Sequence, residues 1–189
     1  MIITISGKPG SGKSTVAERL AADLGYKRYY VGAMWREAAR ARGMNITEFG
    51  ALANRDASID KEFEKKIEEL GKREDDFVIE SRTAWHFIPH SVKIFIDVTA
   101  EEGARRIWGA IQKKNSKDRT EEKHLTSLAA ALESVRDRIA KETIRYQKYY
   151  GIDIFDPGHY DLFLDATSLS PEEEYLSVQA FVKKRLKRI

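Results

Sequence analysis

Eight residues near the amino terminus, Gly7-Lys8-Pro9-Gly10-Ser11-Gly12-Lys13-Ser14, leave the chain few architectures to choose from. They fit the pattern G-x-x-x-x-G-K-[ST], which carries physical meaning only between a strand and a helix. Both flanks are present. Ile2 to Ser6 is a short apolar and β-branched run, and Lys13 to Leu24 places Val16, Ala17, Leu20, Ala21 and Leu24 at helical spacing before Gly25 stops it. In such a loop the glycines let successive backbone N–H groups turn inward on a phosphate, at the positive end of the following helix. Lys13 then sets a point charge between the β- and γ-phosphates, and the Ser14 hydroxyl ligates Mg²⁺. Residues Gly7 through Thr15 are the expected nucleotide contacts, with ATP and Mg²⁺ as the expected cofactors.

Four more segments read as strands: Lys27 to Val31, Phe77 to Glu80, Val92 to Val98 and Tyr160 to Asp165. Several are continuous apolar runs, as suits strands covered on both faces of a parallel sheet. Thr99-Ala100-Glu101-Glu102 and Ser170-Pro171-Glu172-Glu173 have the form of capping boxes and follow strands directly. Strand and helix in repetition predict βαβ units with right-handed crossovers and an open α/β sheet.

The 189 residues suffice for one domain, and no repeat, low-complexity tract or Pro/Gly-rich linker divides them, so 1–189 is read as a single unit. Two stretches exceed a minimal α/β core. Residues 32–72 form a helical insertion, with Asn45-Ile46-Thr47-Glu48 as its clearest internal helix start. Residues 113 to about 151 hold Leu125, Leu128, Leu132, Val135 and Ile139 at 3,4,3,4 spacing, one apolar face of a long helix ended by Gly151. Insertions of this kind usually carry recognition.

The composition excludes several classes. Without cysteine there is no disulfide framework and no thiolate nucleophile. A formal charge of +3 is too balanced to argue for a nucleic-acid polymer as partner. The closing Lys183-Lys184-Arg185-Leu186-Lys187-Arg188 run reads as a solvated last helical turn, where cations suit the helix dipole. No apolar run nears the roughly 18 residues of a membrane span, and no basic leader precedes Ile2, so a soluble, cytoplasmic protein is expected.

A carboxylate is wanted beside the metal. Glu80, ending Phe77-Val78-Ile79-Glu80, is the candidate, either holding a Mg²⁺-bound water or bracing Ser14; pairing with a nearby lysine is the alternative. Asp97 competes but leads straight into the Thr99 cap. Arg36 and Arg82 fall at carboxyl ends of strands, the edge where open α/β sheets bind ligands. Arg138, Lys141, Arg145 and Lys148 repeat at 3,4,3 along the long helix, readable as a solvated face or as a source of mobile arginines for a transferring phosphoryl group. His86 and His90 stand at a chelating spacing, but Pro89 breaks the helix such a site needs.

On these residues the chain resembles the nucleoside monophosphate kinases, and among them the cytidylate kinase family, especially its shorter archaeal-type branch. The matching pieces are Gly7 to Ser14, Val31-Gly32-Ala33-Met34-Trp35-Arg36, Glu80-Ser81-Arg82, Val92 to Asp97, and Arg145-Tyr146-Gln147-Lys148-Tyr149-Tyr150-Gly151-Ile152-Asp153. The resemblance implies a five-stranded parallel sheet of order 2-3-1-4-5, a monophosphate-binding insertion at 32–72 and a helical lid within about 113–151. It implies that Arg36 and Arg82 grip the acceptor phosphate and that Arg138 and Arg145 are lid arginines acting with Lys13. The expected reaction is transfer from ATP to CMP or dCMP by a monomer, with adenylate kinase or another small-molecule kinase as the nearest alternatives and an ATP-binding regulatory module as the more distant one. After Arg82 the chain runs Thr83-Ala84-Trp85, without the acidic residue of the bacterial pattern. Base selection is left open, as is whether Trp35 and Trp85 flank the base or fill core.

Overall fold

Strand β1 (Ile2–Gly7) is buried along its length because every neighbour of it is another element. It pairs in parallel with β3 (Phe77–Glu80) on one side and β4 (Val92–Asp97) on the other. Strand β2 (Lys27–Tyr30) joins β3 and β5 (Leu162–Asp165) joins β4, giving the order β2-β3-β1-β4-β5, all parallel. This is the sheet the resemblance implied. The computed structural model describes residues 1–113 and 125–187.

Side chains alternate across β1, so each face receives its own helices. Helices α1 (Lys13–Leu24) and α8 (Pro171–Leu186) close over Ile3, Ile5, Ile94 and Ile96 with Leu20, Val178 and Val182. Three helices between β2 and β3, α2 (Val31–Ala41), α3 (Ile46–Ala53) and α4 (Ala57–Arg73), cover Ile2, Phe77 and Ile79 with Phe49, Phe63 and Ile67. Each such fully buried aliphatic or aromatic chain contributes roughly 1.5–3 kcal/mol of transfer free energy. Short α5 (Ala84–Phe87) follows β3, and α6 (Ala100–Gln112) follows β4.

The helix starts obey local chemistry. Asn45 and Glu48 exchange side-chain-to-backbone hydrogen bonds of 2.9 and 2.8 Å ahead of α3, Thr99 accepts from the Glu102 N–H, and Ser170 with Glu173 completes a capping box. Val31 begins α2 instead of ending β2, and β5 begins at Leu162 instead of Tyr160.

The long helix differs more. Helix α7 (Leu128–Tyr150) starts after Ser127, whose hydroxyl accepts from the Ala130 N–H at 3.0 Å, so Leu125 lies ahead of the helix. Leu125 is still buried, with Ile107, Ala131 and Val135, whereas Leu128 is 45% exposed. The apolar face runs through Ala131, Leu132, Val135 and Ile139, which pack with Leu125, so of the expected series Leu128 alone points away. The expected first part of the lid, and Arg188, lie outside the described residues.

Candidate active site

The loop after β1 is shaped by two close approaches. Gly10, at φ 78°, lies against Gly103 of α6, so a Cβ at either position would strike backbone of the other segment. Gly12, at φ 88°, is the residue preceding α1, and a Cβ there would stand 2.5 Å from a Glu174 carboxylate oxygen. Both positions demand the left-handed backbone that glycine adopts without strain. Ser11 is fully buried, and its hydroxyl has no hydrogen-bond partner among the described residues.

Lys13 opens α1 and reaches back 3.3 Å to the Lys8 carbonyl. Burial, with Arg82 nearby, pulls its pKa down to about 7. A cation held at this cost in a phosphate-sized cradle is suited to a polyphosphate, whose charge would restore it. Ser14 donates to Glu80 at 2.5 Å, and the other Glu80 oxygen lies 3.4 Å from Arg28 of β2. Glu80 thus braces the Ser14 hydroxyl, one of its two expected tasks. Asp97, its competitor, pairs with Lys8 at 2.7 Å. No cluster of three metal-ligating side chains occurs among the described residues. A loop hydroxyl backed by a carboxylate, with phosphate oxygens and waters completing the shell, is the donor set Mg²⁺ takes in such sites, so these residues fit the ion. Thr15 is exposed on the first turn of α1 and hydrogen-bonds through its N–H to Gly12.

The arginines divide. Arg82 reaches both ends of the site: its guanidinium donates to the Gly7 carbonyl and, at 2.8 Å, to Glu142 of α7. Glu142 lies four residues after Arg138 and three before Arg145, on one helix face. Burial alone raises the Glu142 pKa, but Arg82, Arg138 and Arg145 outweigh it and hold the carboxylate below its usual range. Arg36 lies over the Tyr30 ring at 4.7 Å. Arg145 is buried between α4 and α2: its Nε is 3.5 Å from Asp60, its Nη2 donates to Tyr146 at 3.0 Å, and its guanidinium stands 5.1 Å from the Trp35 ring. Lys141 and Lys148 are exposed, with Lys141 paired to Asp137, so the basic series is no single surface. Trp35 stacks on Phe63 and Trp85 on His159, and both therefore pack against core.

With this geometry in view the comparisons are decisive. Residues 2–168 match the cytidylate kinase-like family. The chain belongs to that family. A cytidylate kinase of Halobacterium salinarum is 37% identical over 91% of this chain and 84% of that protein. One from Methanocorpusculum labreanum is 34% identical over 100% of this chain and 99% of that protein. Among solved structures, a shikimate kinase from Bacteroides thetaiotaomicron superposes with a TM-score of 0.64 at 14% identity, covering 97% and 98% of the two chains. A shikimate kinase from Aquifex aeolicus gives 0.54 at 21% identity, covering 98% of each. These last two speak for the fold alone. The chain is a nucleoside monophosphate kinase.

Sequence reasoning about this cytidylate kinase-like protein missed its acidic half. Glu142, Asp60, Glu64 and Glu174 are all buried or nearly so and all face cations or hydroxyls of the site. Glu142 was findable, since i,i+4 and i,i+3 spacing puts it between Arg138 and Arg145. Arg106 was not: it joins Ser11, Glu174 and the carbonyls of Ala166 and Leu169, contacts 60 to 95 residues apart in sequence.

Proposed function

We propose that this cytidylate kinase-like protein transfers the γ-phosphoryl group of ATP to the 5′-phosphate of CMP or dCMP, giving ADP and CDP or dCDP. The observation that carries the reading is Arg82, whose guanidinium touches the donor loop at Gly7 and the α7 carboxylate Glu142 at once. An arginine so placed faces the junction where donor and acceptor phosphates must meet. The acceptor phosphate is already an anion at neutral pH, so positioning and charge neutralisation do most of the catalysis.

Gly7 through Thr15 hold the ATP phosphates, with Lys13 on the β- and γ-oxygens. Arg36 and Arg82 hold the acceptor phosphate, and Arg138 with Arg145 neutralises the group in flight. Ser14, oriented by Glu80, would hold Mg²⁺, which when bound would offset the charge of the donor phosphates. The three helices from Val31 to Arg73 form the acceptor-binding insertion, and α7 serves the lid whose closure excludes water. The enzyme works as a cytoplasmic monomer. The relatives named cytidylate kinase support the choice of CMP.

The test is ADP formation from Mg-ATP against CMP, dCMP, UMP, AMP, GMP and several hydroxylated metabolites. CMP or dCMP should give the largest kcat/KM. If no acceptor raises turnover above the ATP-only rate, the proposal fails.

A further inference from the structure

Tyr30 carries two guanidinium groups against one ring. Arg28 stands 5.3 Å and Arg36 4.7 Å from its centroid, both within reach of the attraction between a cation and an aromatic face. Strand periodicity brings one of them there. Residues two apart on β2 share a face, so Arg28 and Tyr30 project together, while Tyr29 between them turns the other way onto Phe77. Arg36 reaches the ring from the second turn of α2.

Two ordinary helix features are missing where the ring sits. Tyr30 occupies the residue before α2, where Ser, Thr, Asp or Asn would cap the unpaired N–H groups, and its side chain makes no capping bond. Gly32, inside α2, has no left-handed backbone to account for it, yet a Cβ there would stand 2.6 Å from the Tyr30 ring. Glycine is a poor helix former. The absent methyl group is room for the ring.

The two cations serve different halves of the site. Tyr30 is the register partner of Glu80, and Arg28 lies 3.4 Å from Glu80 and 3.3 Å from Glu18. Glu80 is the carboxylate that accepts from Ser14. Arg36 is the arginine assigned above to the acceptor phosphate. The negative face of the ring offsets the repulsion between neighbouring guanidinium groups. It also restricts Arg36 before a phosphate arrives, so less side-chain freedom is lost on binding. We propose that Tyr30 is a positioning residue for the acceptor phosphate, its ring holding Arg36 in place while Arg28, on the same ring, is retained by Glu80 on the metal side. This rests on the monophosphate kinase reading above and adds a residue that acts through Arg36.

The experiment measures KM for CMP at saturating Mg-ATP, and KM for Mg-ATP at saturating CMP, in the unmodified enzyme, Tyr30→Phe and Tyr30→Leu. Leu keeps apolar bulk and removes the π face; Phe keeps the face and removes only the hydroxyl. Tyr30→Leu should raise KM for CMP about three- to tenfold, the range of one partly desolvated cation–π contact. KM for Mg-ATP should stay within about twofold, because Arg28 keeps both of its carboxylates. Tyr30→Phe should hold both constants within about twofold of the parental values. Gly32→Ala adds one methyl group and favours the helix. It should push the ring aside and raise KM for CMP in the same way, and it tests the ring even if Tyr30→Leu does not fold. A parental KM for CMP in Tyr30→Leu or in Gly32→Ala overturns the proposal. So does a rise of equal size in both KM values, the mark of a merely structural ring, or a Phe variant as impaired as Leu. All of these outcomes leave phosphorylation of CMP standing. If the kinase reading itself is wrong, CMP does not raise ADP formation by the unmodified enzyme, and the proposal falls with it.

Discussion

Arg82 and Glu142 meet at 2.8 Å and join the carboxyl end of β3 to the middle of α7, while the same guanidinium donates to the Gly7 carbonyl. The carboxylate thus aims an arginine at the donor loop before any phosphate arrives. Glu142→Gln keeps the shape and removes the charge. It should lower kcat by roughly tenfold or more with a smaller change in acceptor KM, since misplacing a preorganised cation is felt chiefly in the transition state. Steady-state kinetics on both substrates decide it; a raised KM with unchanged kcat would show that the pair serves ground-state binding only.

Lys13 and Ser14 lead to separable losses. Lys13→Ala should cut phosphoryl transfer by about a thousandfold or more, because it removes the charge nearest the migrating group. Glu80→Gln acts through Ser14, which Glu80 accepts from at 2.5 Å. Removing an outer partner of a metal ligand typically costs about 10–100-fold in metal affinity, so the Mg²⁺ concentration for half-maximal ADP formation should rise by that factor. A variant with the parental Mg²⁺ dependence would detach Glu80 from the metal.

Gly12→Ala faces two obstacles at once, a φ of 88° and the Glu174 carboxylate 2.5 Å from the new methyl. The fold should lose about 1–3 kcal/mol, and ATP should no longer raise the Tm. Differential scanning fluorimetry with and without Mg-ATP reads both effects. A normal ATP-induced shift would mean that the loop relaxes around the methyl group.

Stability should depend on pH through α4. Burial raises Glu64 to about 7, against the opposing Tyr150 hydroxyl and Arg145 and with help from Asp60. Burial likewise raises Asp60 to about 6, against Arg145 and with help from Glu142. A carboxyl that is less acidic folded than unfolded binds its proton more tightly in the native state. Its stabilising contribution is present below the unfolded value and is lost as the pH rises through the folded one. These two groups should therefore each subtract on the order of 2 kcal/mol, Asp60 as the pH rises from about 4 to about 6 and Glu64 from about 4.5 to about 7. Glu64→Gln should flatten its share of that slope in urea unfolding from about pH 5 to about pH 8. An identical slope in the variant would clear Glu64.

What could be read from the chain without coordinates follows the range of the interactions. The five strands, the stops at Gly25 and Gly151 and the caps at Thr99 and Ser170 rest on neighbouring residues, and each is present, with β2 ending one residue early and β5 starting two residues late. Leu128 misled because the Ser127 cap starts the helix after Leu125 and breaks the apolar series. The basic series on α7 misled for a different reason. Arg145 is drawn inward by Asp60, 85 residues before it in the chain, and no pattern on α7 announces that partner. Charge complementarity across a tertiary contact has no periodicity to read.

The contact between Gly10 and Gly103 has a consequence for how such a chain can vary over time. A side chain at either position meets the backbone of the other segment, so no single substitution at one is relieved by a second substitution at its partner. Escape would require the donor loop and α6 to move apart together. The two positions should behave as a locked pair in any library of random variants, each depleted of replacements even where ATP binding is not selected.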